Sequence, residues 1–461
     1  MRRCLPESAP TPLETYCQQF DDCFRTVNQR NAFRRYLAGL LLPAERNKTL
    51  TALAHAEPIK GAQQPGVQRL QWFLSESSWQ PEALNRRRLE RLQADAHTAP
   101  SDQGVLVIDE HGDRKWGTKT AHIGKQYVGN LGKVENAVVS VTSLWADARV
   151  YWPIAVAPYT PAHHFRRGKT DPAFRTKLQL AVALVQQAVT QGIPFRAVVA
   201  DSFYGEDGGF LQGLRELGVG YVLARKPSHG WWHPAEAIGT LRDAAVQAGW
   251  QSVAEPGQWA RVARRFRDGT VADWWALEVV AGPYGSARAE RAVVATTDPG
   301  TLPEHSTWYL ATNLAKADLA EVVRLYGLRN WVEQSYLQVK HRLGWGQYQV
   351  RSDLAIRRHW ALVCCAFSFC WQAAPETLVG VAAPETVSMA TDDDPTEDAS
   401  AGRGENTARA DLARGVAPGA AVVDPLDLVA ALVAGLDYRA DAPRTPGAAR
   451  RPRPGHATPR L

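Results

Sequence analysis

Apolar positions recur at helical spacing along residues 1–95 and predict helices over Leu13–Arg25, Asn31–Leu42, Ala44–Ala54, Val67–Ser75 and Pro81–Ala94. Residues three and four apart share one face of a helix, so each of these segments presents an apolar stripe to its neighbours. The expectation is an all-α N-terminal domain over 1–95, followed by a linker at Asp95–Gly104. From residue 105 the apolar runs shorten. Val105–Ile108, Ala137–Leu144 and Tyr151–Ala157 read as strands separated by Gly and Asp turns. Pro172–Gln191 reads as an amphipathic helix, Arg196–Asp201 as a strand, Phe210–Leu217 as a helix and Tyr221–Ala224 as a strand.

A strand meander followed by alternating helix and strand predicts a mixed sheet with helices on its faces. That is the order of an α/β RNase H-like core, whose first part spans 100–224. Residues 225–307 differ: Trp259–Phe266, Trp274–Val280 and Ala292–Thr296 read as strands among Gly and Pro turns, a β-rich insertion in the core. The core resumes over 308–372 with a strand at Trp308–Ala311, a long helix at Leu319–Leu343 and an apolar helix at Leu354–Gln372. Residues 373–461 are dominated by Ala, Pro, Gly, Asp and Thr and read as a disordered tail.

Composition narrows the class. The 461 residues hold enough apolar sequence for two or three cores. No apolar run reaches the length needed to cross a bilayer, and no apolar stretch follows Arg2 and Arg3 to make a signal peptide. The six cysteines contain no Cys-x-x-Cys pair, which argues against a zinc site and for a reducing cytoplasm. The formal net charge is +6, but from residue 373 onward nine Arg stand against thirteen Asp and Glu, so the first 372 residues carry about +10. A basic folded part suits a polyanion such as DNA. Arg34, Arg35, Arg86, Arg87, Arg88 and Arg91 cluster on two of the N-terminal helices, which assigns DNA contact to that domain.

The candidate chemistry lies in three carboxylates. Val-Leu-Val-Ile-Asp109 and Ala-Val-Val-Ala-Asp201 each end an apolar strand in Asp. The helix Leu319–Leu343 carries Tyr326-x2-Arg329-x3-Glu333-x6-Lys340, spacings that place all four on one stripe. A core-facing stripe is apolar; this one fits a metal-ligand carboxylate beside phosphate-binding cations. Singly, each residue has an ordinary reading. A strand-end Asp usually caps a turn, a helical Glu is usually solvated, and Arg329 and Glu333 at i,i+4 can simply pair. Jointly they predict an Asp-Asp-Glu nuclease. Such an enzyme holds two Mg²⁺ ions about 3.5–4 Å apart, through hard oxygen ligands. Asp109, Asp201 and Glu333 are the expected catalytic and metal residues, with Mn²⁺ expected to substitute. Glu110 follows Asp109, and either can be the ligand.

Arg329 and Lys340 are expected to bind phosphate oxygens, and Tyr326 to donate its hydroxyl to one. Gly112–Gly117 reads as a β-turn presenting Lys115 near the metals. His341–Arg351 mixes cations, aromatics and glycines, a composition suited to gripping phosphates and stacking on an unpaired base. Trp345 and Arg351 are its expected DNA-binding residues, with Tyr348 a further stacking candidate. Trp231 and Trp232 read as packing residues.

These motifs resemble those of the IS4-related bacterial insertion-sequence transposases, and of the IS701 family within them. The resemblance rests on Val-Ile-Asp109-Glu110-His-Gly-Asp-Arg-Lys115-Trp-Gly117, on Gln126-Tyr127-Val-Gly129-Asn-Leu-Gly132-Lys133-Val-Glu-Asn136, and on Ala200-Asp201-Ser202-Phe-Tyr204-Gly205. Gly346-Gln347-Tyr348-Gln349-Val350-Arg351-Ser352 and the Tyr-Arg-Glu-Lys series add to it, over roughly 15–372. It implies an RNase H-like core with a β insertion before the Glu, and cleavage at terminal inverted repeats followed by strand transfer of the freed 3′-ends. Asp109, Asp201 and Glu333 would be the triad, and Tyr326, Arg329 and Lys340 would hold end phosphates. His111 stands where relatives often have Thr, and Ala137 where Cys is common; neither change removes a ligand.

The leading expectation is a cut-and-paste DNA transposase acting on double-stranded element ends and target as a homodimer, cytoplasmic and nucleoid-associated. One alternative is a domesticated, non-catalytic DNA-binding protein, against which three retained carboxylates argue. Another is a nuclease without strand transfer; flanking inverted repeats and a short target duplication would favour transposition over it.

Overall fold

Val105–Ile108 and Ala197–Ala200 are continuous apolar runs, and both lie fully buried at the centre of one sheet, as strands covered on both faces do. The computed structural model describes residues 11–41, 46–232, 238–266, 270–279 and 290–373. The tail beyond Ala373, and the side chains of Trp231 and Trp232, lie outside what is described.

The chain begins with helices α1 (Thr11–Gln18), α2 (Val27–Leu41), α3 (Leu50–Leu53), α4 (Pro65–Ser75) and α5 (Pro81–Ala94). Pro65 and Pro81 start theirs at the first turn, where a missing N–H costs nothing. Strands β1 (Val105–Arg114), β2 (Gly124–Val128), β3 (Lys133–Ala146) and β4 (Tyr151–Tyr159) follow, then α6 (Lys177–Thr190) and β5 (Ala197–Ala200). Next come α7 (Ser202–Gly205), α8 (Gly208–Glu216), β6 (Tyr221–Ala224), the small pair β7 (Gly230–Trp232) and β8 (Ile238–Thr240), and α9 (Leu241–Gln247). The chain continues through β9 (Ala260–Arg265), β10 (Val271–Val279), β11 (Arg291–Thr296), β12 (Thr307–Thr312), α10 (Leu319–Gly327), α11 (Asn330–His341) and α12 (Asp353–Ala373).

Nine strands run in the order β2-β3-β1-β5-β6-β12-β11-β10-β9, with β4 also pairing β3. β1, β5 and β6 are parallel to one another and β3 is antiparallel to β1, an arrangement consistent with an RNase H-like core. The sequence between β6 and β12 is not a separate β unit. Its strands β9, β10 and β11 extend the central sheet through the antiparallel pairing of β11 with β12. Val262, Trp274, Ala276, Val293 and Ala295 join the main core on one face, while Trp275, Leu277, Val294 and Tyr309 build a second core under α9 on the other.

Two expectations about elements need correction. β1 runs through Gly112 to Arg114, because its ladder with β3 continues to the Arg114–Ala137 pair, so Gly112–Gly117 is a turn only at its end. The helix expected over Leu319–Leu343 is two helices, interrupted at Leu328–Arg329. Gly327 is its weak point: helix propensity is low there, and a Cβ would come within 3.2 Å of the buried Arg264 guanidinium. Backbone bonds then tighten to i→i−3, Arg329 N–H to Tyr326 O and Val332 N–H to Arg329 O.

The N-terminal helices pack around the apolar α12 and share one continuous core with the sheet. Two arginines of the expected DNA cluster belong to that packing. Arg34 pairs with Glu14 and Asp21 at 2.8 and 2.7 Å. Arg88, fully buried, donates to the Pro153 and Ile154 carbonyls and to Ser368 Oγ. Arg88→Ala is expected to cost about 3 kcal/mol, because the Pro153 carbonyl and Ser368 Oγ lose their donor while the Ile154 carbonyl keeps only the Asn85 side chain. Urea denaturation followed by tryptophan fluorescence checks this; a midpoint equal to that of the wild type would deny the guanidinium any structural role.

Candidate active site

Register decides where the first two carboxylates meet. Val107 lies opposite Val199 in the parallel pair β1–β5, and two residues further along each chain come Asp109 and Asp201. Adjacent strands about 4.8 Å apart thus deliver both acids to the C-terminal edge of the parallel strands, where open α/β sheets bind ligands. Because successive strand residues face opposite ways, Asp109 and Glu110 part company. Glu110 pairs with Lys177 of α6 at 2.8 Å, whereas Asp109 Oδ2 accepts from Arg329 Nη2 at 2.9 Å. The neighbour left open in the sequence is therefore turned towards the helix layer. Asp201 caps α7, accepting from the Phe203 N–H at 3.0 Å through Oδ1, while its Oδ2 stands 4.0 Å from Arg329.

Arg329, at the break between α10 and α11, is the cation that ties the two acids together. Burial is the largest single influence on its guanidinium and lowers its pKa, but Asp109, Tyr326, Asp201 and Glu333 together outweigh it, so the pKa is raised. Its Nε is buried without a hydrogen-bond partner among the described residues. Glu333 is exposed on the first turn of α11 and acts electrostatically on both Asp109 and Arg329. Burial pushes the Asp109 carboxyl up to about 7; Arg329 opposes the rise, and Asp201 and Glu333 reinforce it. Tyr326 is 8% exposed, its ring 5.0 Å from that of Trp308, and burial raises its pKa.

A second polar group flanks the first. Asp113 is paired with His111 at 3.1 Å; burial would raise its pKa, but His111, Lys115 and Lys340 together hold it below the usual value. Half-buried Lys340 is lowered by burial and supported by Asp113 and Glu333. Lys115 is committed elsewhere than to the three carboxylates. Its Nζ donates to the Gly346 carbonyl at 2.5 Å and lies 3.4 Å from the Tyr348 ring centre, and burial lowers its pKa to about 8.

Trp345 is 2% exposed and stacked on Trp360 at 5.4 Å, so it is a core residue here and presents no face to a base. Tyr348 is likewise buried. Arg351 is exposed, and its carbonyl accepts from the Ala121 N–H at 2.8 Å, away from the carboxylates.

Three neighbours of the site escaped the sequence reading. The Tyr336 hydroxyl bonds Thr142 Oγ1 at 2.5 Å, and Thr142 Oγ1 bonds the Asp109 carbonyl at 3.3 Å. The Tyr336 ring lies 5.0 Å from that of His111, which in turn holds Asp113. Tyr336 sits three residues beyond Glu333 and four before Lys340, so its place on that face was available from helical spacing.

Among the described residues, no three His, Cys, Asp or Glu side chains stand close enough to hold a metal as placed. The donor chemistry nevertheless fits a divalent ion. Asp109 and Asp201 share Arg329, Glu333 acts on Asp109 electrostatically, and all three offer hard oxygen donors; burial, with the charges of Asp201 and Glu333 behind it, raises the Asp109 carboxyl against the pull of Arg329.

Residues 19–275 match the DDE superfamily endonuclease family. A probable transposase for insertion sequence element IS701 from Microchaete diplosiphon is 31% identical over 347 residues, covering 74% of this chain and 83% of the relative. Endonucleases of this superfamily act with divalent metal ions. The chain belongs to the DDE superfamily of endonucleases and, within it, to the IS701 family of transposases.

Proposed function

We propose that this transposase cleaves double-stranded DNA at the terminal inverted repeats of its own element and joins the freed 3′-ends to a target, working as a homodimer in the bacterial cytoplasm. The observation that carries the reading is the placing of Asp109 and Asp201 just beyond the parallel pairing of β1 with β5, joined through Arg329, with Glu333 acting on Asp109 electrostatically. Asp109, Asp201 and Glu333 would hold two Mg²⁺ ions, with Mn²⁺ as a substitute. Bound there, the ions would supply charge neutralisation at the attacking and leaving oxygens. Asp109 must be ionised to bind them, and the Arg329 guanidinium favours that state. In the metal-bound state the Arg329 guanidinium would be available to donate to a phosphate, as would Lys340 and the Tyr326 hydroxyl.

The helices of residues 1–95 are proposed as a DNA-contacting domain. Support comes from Arg35, Arg86 and Arg91, which are exposed, whereas Arg34 and Arg88 are structural. The domesticated, non-catalytic alternative has no observation in its favour.

The test uses a duplex carrying the element end and its flank, purified protein and Mg²⁺, with Asp201→Asn as control. Cleavage at the repeat boundary and joining of 3′-ends to target DNA, both lost in the control, are expected. Tight binding with no cleavage by the wild type would return the protein to the non-catalytic class.

A further inference from the structure

Beyond Asp109, β1 leads to an exposed aromatic and basic face that the cleavage chemistry does not use. Trp116, at 81% exposure, stands on the turn after β1 with the Arg114 guanidinium 4.4 Å from its ring centre. A Trp so placed on a loose loop would mean little, but this turn is built. The Asn136 side chain donates to the Lys115 carbonyl at 3.1 Å and to the Gly117 carbonyl at 2.8 Å. Gly117 takes φ +81° to close it, a conformation that favours glycine.

Asn136 also fixes which side of the hairpin the turn adjoins. It pairs with Lys125 across β2–β3, and Tyr127 pairs with Val134 two residues along, so these four share a face. Tyr127 and Val134 are 56% and 59% exposed. Lys119, Lys125 and Lys133 are exposed around it, together with Arg114, and Arg351 meets the same loop through Ala121. Against these cations stands one carboxylate, Glu135, which Lys133 approaches at 2.9 Å and Arg114 at 3.8 Å. Solvent-exposed aromatic rings among cations that outnumber the one carboxylate paired with them here match the chemistry of a nucleic-acid surface.

We propose that the Trp116 turn and the β2–β3 hairpin form a second contact for the same duplex that enters the carboxylate site. The lysines take phosphates, and Trp116 packs as an apolar wedge against a base step. The placement sets a distance. Asp109 and Arg114 are five residues apart on one extended strand, about 17 Å at strand rise. Duplex DNA advances 3.4 Å per base along a strand, so the platform meets the DNA about five base steps from the scissile phosphate. This inference rests on the reading of the carboxylate site as one that cuts DNA.

Its test is separate from cleavage. Binding of a fluorescein-labelled duplex ending at the terminal repeat is measured by anisotropy in EDTA, where no cutting occurs. Trp116→Ala is expected to lose fivefold or more in affinity, while Trp116→Phe stays within twofold of the wild type. Trp116 is exposed, so its truncation removes no core packing, and circular dichroism of each variant checks the fold. Lys125→Ala with Lys133→Ala should reduce the slope of log affinity against log salt by about 2, one unit per lost phosphate contact. Any loss below fivefold for Trp116→Ala overturns the proposal while leaving the transposase reading intact. Failure of the wild type to bind the duplex would remove both. Unchanged DNA affinity with a shift from dimer to monomer in sedimentation would make the face a contact between copies of the chain, and the DNA proposal falls.

Discussion

Glu333→Gln is expected to abolish strand cleavage while leaving affinity for an end-bearing duplex within about twofold, since binding rests on phosphate contacts made elsewhere. Glu333 is exposed on α11 and engaged in no ion pair among the described residues, so the amide replaces it without leaving a buried partner stranded. What disappears is one of three anionic oxygen donors. A Gln carbonyl is a far weaker ligand for Mg²⁺. Loss of at least about 4 kcal/mol of transition-state stabilisation, a thousandfold in rate, follows if an ion leaves or shifts. Single-turnover cleavage and anisotropy on the same duplex measure the two effects. Cleavage within tenfold of the wild type would remove Glu333 from the mechanism and leave it a solvated helix charge.

Asp109→Asn is expected to make the metal-free protein more stable at pH 8 while ending its activity. The folded carboxyl titrates near 7 because burial, with Asp201 and Glu333, outweighs Arg329. In the unfolded chain an Asp titrates at about 3.9. A group whose folded pKa is raised contributes stability that is complete below the unfolded value and lost as pH rises through the folded one. Between about pH 4 and 7 the wild type therefore loses stability at this residue, by up to about 4 kcal/mol. Asn, neutral throughout, does not. Thermal unfolding of both proteins at pH 4 and pH 8 in EDTA checks this: near-equal melting temperatures at pH 4 and a higher one for the variant at pH 8. A lower melting temperature for the variant at pH 8 would show that the Arg329–Asp109 pair stabilises the fold more than burial of the charge costs. Added Mg²⁺ should narrow the gap, because it binds the ionised wild-type site alone. Stability given up for a function is common where like charges are gathered.

The same residues show how far sequence carried. Val105–Ile108, Ala197–Ala200 and Tyr221–Ala224 were legible as strands, because four apolar residues bounded by turn signals admit few other buried forms. Asp109, Asp201 and Glu333 stood out by their places at strand ends and on a polar helical stripe. The break at Leu328–Arg329 was not legible. Gly327 is one weak helix former in a good helical pattern, and what exploits it is the Arg264 guanidinium, from a strand over sixty residues earlier. Nor was the role of β9–β11, since pairing of β11 with β12 is a non-local choice that puts Trp274 and Trp275 into opposite cores. Trp345 and Tyr348 looked like DNA-facing residues because a loop rich in cations and rings reads the same whether its rings point out or in. Trp360 and His359 of α12 settle it, the first by stacking on Trp345 and the second by packing tilted against Tyr348.

By itself the sequence determined the family and most of the order of elements, and it singled out the three acids proposed for the site, because local period and motif spacing encode these directly. Only the tertiary structure decided which face of each strand meets the site. It separated Asp109 from Glu110, placed Arg329 between two carboxylates, and divided the arginines into buried and exposed. Those outcomes depend on register and on long-range contacts. A side chain's charge can be read from its letter, but its partner is set by the chain that packs against it.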